Sequence, residues 1–278
     1  FASVLQSIYT KAGQKLMKAI LKTARFELEN LLGKKATWIL TGVYTLFVFA
    51  VCFSEDLRQS YFSVMESVPI MLNNFVLPIV LISILVGVIS PVFAGDKEQK
   101  IEQIPAACLI GSKGRSIAKL IGAIMFSLAI TLLLEAITLV LCRCFGLCDM
   151  ELLIRDVGGD VKLNPIWTAW QHFGFSAMTL FVGCIILTII ILFISCSVQN
   201  TLSVISISGI TVLLEFVFHS FSFPTVMQEY NIWVFFRPYY LFVTEIITFS
   251  PFVNLLLYAL CFLPICLLAV MRIIKKGN

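Results

Sequence analysis

Long apolar runs alternate with short polar ones along this chain. Runs of bilayer length cover residues 37–53, 68–94, 117–141, 172–196, 202–221 and 251–271. A helix needs about 20 apolar residues to cross a hydrocarbon core, so each run predicts one transmembrane helix. The expected fold class is therefore an all-α membrane protein with six transmembrane helices. Ahead of the first run, residues 3–34 are amphipathic. Lys11, Lys15, Lys18, Lys22 and Arg25 recur at spacings of four and three, which stacks them on one helical face. Leu16, Met17, Ile20 and Ala24 fall on the opposite face. That pattern predicts an amphipathic interfacial helix over 1–36, its lysines toward lipid phosphates. The alternatives are a solvated basic helix or a surface for a partner. No short apolar core with a small-residue cleavage site follows, so the segment is not read as a signal peptide. The chain opens on Phe1 rather than Met, and its native start is expected upstream.

The remaining polar stretches have distinct characters. The second run carries Pro78, Gly87 and Pro91, which predict a kink or tilt. Residues 95–119, GDKEQKIEQIPAACLIGSKGRSIAK, are the most charged segment inside the apolar body. Residues 142–171 predict an outer loop with a turn at Gly158 and Gly159 and interfacial Trp167 and Trp170. The turn SVQNTLS at 197–203 has no charge at all. Residues 222–250 are rich in aromatics (Phe223, Tyr230, Trp233, Phe235, Phe236, Tyr239, Tyr240) and broken by Pro224 and Pro238. Too interrupted for a span and too apolar for a free loop, they predict a re-entrant segment between the fifth and sixth helices, buried against protein.

Composition sharpens the class. With 59% hydrophobic and 13% charged residues, a chain of this size has no soluble interior large enough for its apolar surface. One six-span domain over 37–278 is expected, with no separate soluble domain. The net charge of +4 is no nucleic-acid signal; its distribution matters more. Seven Lys and Arg lie in the N-terminal segment, five in 95–119 and three in the C-terminal tail, against five in the opposite loops. This excess predicts that both termini and the 95–119 segment are cytoplasmic. Nine cysteines are scattered, several inside apolar runs where a thiol is a small apolar group. The run CRCFGLC at 142–148 lacks a histidine or a fourth cysteine nearby, so reduced thiols are expected rather than zinc. A disulfide within that run, or to Cys52, is the alternative.

Chemistry is sparse. The run GSKGRS at 111–116 lacks phosphate-loop spacing and a preceding strand, and reads as a basic cytosolic turn. No GxSxG or HExxH occurs, and no catalytic residue, cofactor site or metal site is expected; the chain is not read as an enzyme. His172 and His219 read as interfacial polar residues. Two carboxylates stand out within apolar runs, Glu135 in the third and Glu215 in the fifth. A charge at that depth is costly, so such groups face protein or water. Lining a transport pathway and meeting cationic cargo is one reading; snorkelling or pairing with Arg143 or His219 is the other. Asn73, Asn74 and Asn254 suit interhelical hydrogen bonds.

With this topology in place, the chain resembles the six-span permease subunits of ABC exporters in the type V fold class. The shared features are the basic amphipathic leader, the acidic broken segment after the second span (Asp96, Glu98, Glu102, Pro105), and Arg115 and Lys119 opening the third span. A nearly loopless turn between spans four and five and an apolar re-entrant segment before span six complete them. Where that family often carries a Gly-Thr pair, this chain has Lys100 and Ile101. The resemblance implies that Asp96, Glu98, Glu102, Pro105, Arg115 and Lys119 belong to a coupling segment seated on a separate cytosolic ABC ATPase subunit, which binds ATP and Mg. It also implies a second permease subunit, a bacterial plasma-membrane location, and export of an amphiphilic or hydrophobic substrate such as a peptide, antibiotic or lipid-like molecule. A gradient-driven carrier or channel, and a non-transporting ABC-linked sensor or immunity protein, are the competing readings.

Overall fold

The computed structural model describes residues 2–54, 68–99, 111–147, 167–220, 233–236 and 251–276. Among these residues the backbone is helical apart from short turns, and no strand forms. The elements are α1 (Ala2–Leu32), α2 (Lys35–Phe53), α3 (Val68–Met71), a π-helical turn (Leu72–Val76), α4 (Leu77–Ile89), α5 (Pro91–Glu98), α6 (Gly111–Cys144), α7 (Ala169–Ser197), α8 (Thr201–Ser220), α9 (Trp233–Phe236) and α10 (Pro251–Lys276). Five stretches are long and apolar enough to cross a membrane: Lys35–Phe53, Leu77–Glu98, Gly111–Cys144, Ala169–Ser197 and Phe252–Lys275. The chain is an all-α integral membrane protein.

α6 and α7 run through the centre, with α2 and α4 packed on one side and α10 against α7. Tyr44, Phe126, Leu81, Leu85 and Leu192 are buried between them. α10 shows how the bundle meets lipid. Asn254, Leu255, Tyr258, Cys266, Ala269 and Ile273 turn inward, while Leu256, Leu260, Leu263 and Leu267 are exposed. Such a surface would be unfavourable in water and costs nothing against acyl chains. The four-residue helix α9 is pressed onto α7 where Gly183 leaves room; a Cβ there would stand 2.7 Å from Phe235 Cβ. Phe235 and Phe236 are buried, and Phe235 meets Phe262 of α10 edge-on at 5.6 Å.

The basic leader uses its apolar face in two ways. Lys15, Lys18, Lys22 and Arg25 are exposed on one side, and Arg25 pairs with Glu29 one turn on at 2.9 Å. On the other side, Ala24 and Leu31 are buried against α6, whereas Leu16, Met17 and Leu21 are exposed. Half of the face expected to lie in lipid is thus taken by protein. The crossing is close because α6 has Gly122: a Cβ there would stand 2.9 Å from Ala24 O and 2.9 Å from Glu27 Cβ. Gly122→Leu is therefore expected to lift α1 off α6 at a cost of about 1–3 kcal/mol. Limited proteolysis within residues 13–32 should become faster; an unchanged digestion rate contradicts this packing.

Prolines set the shape of the second long helix. Pro78 sits in the first turn of α4 and supplies no N–H to the turn before it, where the chain rewinds as the π turn Leu72–Val76. Pro91 opens α5 and breaks it from α4. One expectation is corrected at the start of α6. The run at 111–116, read as a turn, is helical. Arg115 and Lys119 there lie one turn apart and are drawn onto one face by Asp96, a tertiary bond that overrides the local preference of two glycines. His172 lies at the end of its span but does not face outward. It is fully buried in the first turn of α7, one turn from Ser176, whose Oγ stands 3.4 Å from its Nδ1. Trp167, Phe175 and Phe252 pack as an aromatic group at this end of α7.

Candidate functional site

The break at Pro91 leaves backbone groups without helical partners, and side chains from three other elements take them up. In an unbroken helix Ala94 N–H would donate to Ser90 O. Here the Ser195 hydroxyl of α7 is inserted between them. It accepts from Ala94 N and from Phe93 N, both at 3.1 Å, and donates to Ser90 O at 2.6 Å. A side chain wedged into the i→i−4 ladder is a defined cause of a kink. From the turn between α1 and α2, Lys34 Nζ donates to Val88 O at 2.8 Å. From α6, Lys119 Nζ donates to Val92 O.

α5 ends in three consecutive charged residues, each bound to a different helix. Asp96 Oδ2 accepts from Lys119 Nζ at 2.6 Å and pairs with Arg115 at 2.9 Å, which ties it to α6. Lys97 Nζ points at the last carbonyls of α7, donating to Cys196 O at 2.6 Å, Val198 O at 3.1 Å and Ser195 O at 3.4 Å. Glu98 accepts from Thr201 N at 2.6 Å and from its hydroxyl at 3.0 Å, at the start of α8. A cation at a helix C-terminus and an anion at a helix N-terminus both complement the helix dipole. The neighbouring Lys97 and Glu98 do this for two successive helices. That accounts for the uncharged 197–203 turn, whose charges come from another part of the chain. Asn200 completes the α8 cap through Leu202 N at 2.8 Å.

The residues at this elbow are sheltered to different degrees. Lys119 is 2% exposed and lies over the Phe93 ring at 5.1 Å. Lys34, outside the membrane-spanning helices, has its ammonium pushed down to about 8 by burial; Glu27 acts in the opposite direction and the charge of Lys119 adds to the depression. An ammonium there donates to a backbone carbonyl, and no ion pair holds it among the described residues.

The coupling residues named from sequence are therefore partly united. Asp96, Glu98, Arg115 and Lys119 share this elbow and bind their own chain, while Glu102 and Pro105 lie outside the described residues. Lys34, Lys97, Ser195 and Thr201 join them, and none of these was singled out as a site residue in advance.

A second polar group lies within the bundle. Tyr44 of α2 shares a 2.6 Å hydrogen bond with Thr138 of α6, and Thr131 donates to Cys184 of α7 at 3.4 Å. Glu135 lies between Thr131 and Thr138 on the same face and is 5% exposed. It faces Asn73 in the π turn. Neither carboxyl oxygen, and neither polar atom of the Asn73 side chain, makes a hydrogen bond among the described residues. Toward the end of the same face, Cys52 and Cys142 have their sulfurs 3.8 Å apart and are not joined by a disulfide. The side chains of Lys11 and Glu215 lie outside the described residues. No family model matches this chain, and no curated protein matches it.

Proposed function

We propose that this chain is the membrane subunit of an ABC exporter, worked through the elbow at 90–98 by a separate cytosolic ATPase. In this reading the bundle has six spans, with α8 as the fifth, and α9 belongs to a re-entrant segment before α10. Both termini and the elbow face the cytoplasm of a bacterial cell, and a second permease subunit completes the pathway for an amphiphilic or hydrophobic substrate. ATP and Mg bind the ATPase, not this chain.

One observation carries the reading. The end of α5 is braced to α6, α7 and α8 by Asp96, Lys97 and Glu98 in succession. A displacement applied just beyond Glu98 therefore cannot be absorbed locally; it is delivered to three long helices together. The sequence adds that no nucleotide motif is present to drive such a movement from within. The burial of α9 against Gly183 and Phe262 supports the re-entrant segment, and the exposed apolar residues of the first half of α1 suit a headgroup location.

The test is reconstitution with the cognate ATPase in lipid nanodiscs. The chain alone should hydrolyse no ATP, and the pair should. Glu102→Lys should weaken the pairing at least tenfold while thermal unfolding of the chain stays unchanged. Glu98→Lys is the wrong variant for this purpose, because it also removes the α8 cap. An undiminished complex with Glu102→Lys overturns the assignment of the coupling surface.

A further inference from the structure

The buried pair formed by Glu135 and Asn73 has four polar side-chain atoms and no hydrogen bond among the described residues. Glu135 is 5% exposed and Asn73 is 0% exposed. Orphaned polar atoms at this burial are rare and call for an explanation. We propose that Glu135 is an intramembrane proton-binding site, which takes up one proton from water and holds it against Asn73 of the π turn.

Donor and acceptor arithmetic carries the inference. A protonated carboxyl has one O–H donor and one carbonyl acceptor, and a carboxamide offers N–H donors and one acceptor. The two match as a reciprocal pair: the Asn73 amide N–H donates to one carboxyl oxygen, and the carboxyl O–H donates to the Asn73 oxygen. All four orphaned atoms are then satisfied. An ionised carboxylate meets only half of this need, because its second oxygen and the Asn73 oxygen are both acceptors. The step is balanced as carboxylate plus proton giving carboxylic acid, with no other bond made or broken.

The surroundings supply no substitute cation. Asn73 is the one side chain among the described residues that acts on the Glu135 carboxyl. Of the elements packed on α6, α2 presents Tyr44 and α7 presents Cys184 within electrostatic reach; neither is a cation, Tyr44 shares a hydrogen bond with Thr138, and the Cys184 sulfur accepts from Thr131. α3 and α4 contain no titratable residue, and no titratable group of α10 acts on the carboxyl. α1 crosses α6 at Gly122, about 20 Å away along the helix. Three unpartnered oxygens suit a proton, which needs one acceptor, better than a calcium or magnesium ion, which takes six or more oxygen ligands.

Asn73 lies in the π turn, a rare form often found at working positions. Release of the proton would unpair the amide and free that turn to rewind, so proton binding couples to the shape of the second long helix. The inference holds whether or not an ATPase drives the chain.

The test uses the full chain in nanodiscs and a hydrophobic carbodiimide, which adds to protonated carboxyls in an apolar setting. Peptide mass spectrometry should find the adduct on Glu135, with several-fold more labelling as the pH is lowered. In infrared spectra a protonated-carboxyl band should be present and be lost in Glu135→Gln. That variant keeps a donor and an acceptor, so its fold should survive. No adduct and no such band at any pH overturns the proposal. So does labelling independent of pH, or labelling blocked by sodium ions at constant pH, which would make this an alkali-cation site.

Discussion

Asp96→Ala is expected to lower the unfolding free energy by about 3 kcal/mol, within the range for breaking a sheltered ion pair from one side. The reason lies in what is left behind. Lys119 has a side chain 3% exposed, against 22% for Asp96, so removal of the carboxylate leaves a buried ammonium with the Val92 carbonyl, the Phe93 ring and the weaker, more distant charge of Glu27. The reverse substitution differs. Lys119→Met leaves Asp96 still paired with Arg115 at 2.9 Å, and methionine fills the space with an apolar chain. It is expected to cost about 1 kcal/mol. The double variant Asp96→Ala with Lys119→Met should recover most of the loss of the first, because no buried charge remains unpaired. Thermal and denaturant unfolding of the purified chain in one detergent measures all three. Equal losses from the two single variants, or a double variant no better than Asp96→Ala, contradict the pairing.

Ser195→Ala is expected to cost about 3 kcal/mol and to loosen the kink. The hydroxyl serves three backbone groups, Phe93 N, Ala94 N and Ser90 O, and is wholly buried. Alanine leaves those groups with no partner at the break that Pro91 imposes. One escape is for α5 to straighten onto Ser90, closing the Ala94 rung; another is for water to enter. In either case hydrogen exchange at Phe93 and Ala94 changes more than anywhere in α6. Exchange at those two amides that matches the parent chain, with unchanged stability, removes Ser195 from the brace.

The parts of this protein legible in the sequence are those fixed by solvent and by single residues. Apolar runs locate helices because a bilayer leaves backbone groups no other partner, and α2, α6, α7 and α10 overlap the runs at 37–53, 117–141, 172–196 and 251–271. Pro91 announces a kink, and Glu135 announces itself by being ionisable within an apolar run. What sequence does not show is which distant group answers which local need. Lys34 and Val88 are bonded across 54 positions, and Ser195 and Ser90 across 105. Nothing about a serine in ISCS marks it as the wedge of another helix. The charged 95–98 stretch reads naturally as a surface offered to a partner. In the fold its three charges are spent largely on the chain's own helices, which makes it a brace first. The helical start of α6 is hidden for the same reason, since its two glycines argue for a turn and only the ion pair with Asp96 argues against one.

In the proposed function, force enters this bundle just past Glu98, from a nucleotide-binding partner. A photoreactive amino acid placed at Lys100 in living cells tests it most directly. The expected result is a light-dependent adduct with a nucleotide-binding protein, identified by mass spectrometry, and none from the same group at Leu267 on the exposed apolar side of α10. Labelling of position 100 by a membrane-impermeant reagent added outside the cell, or adducts with lipid alone in the transporting assembly, would contradict it.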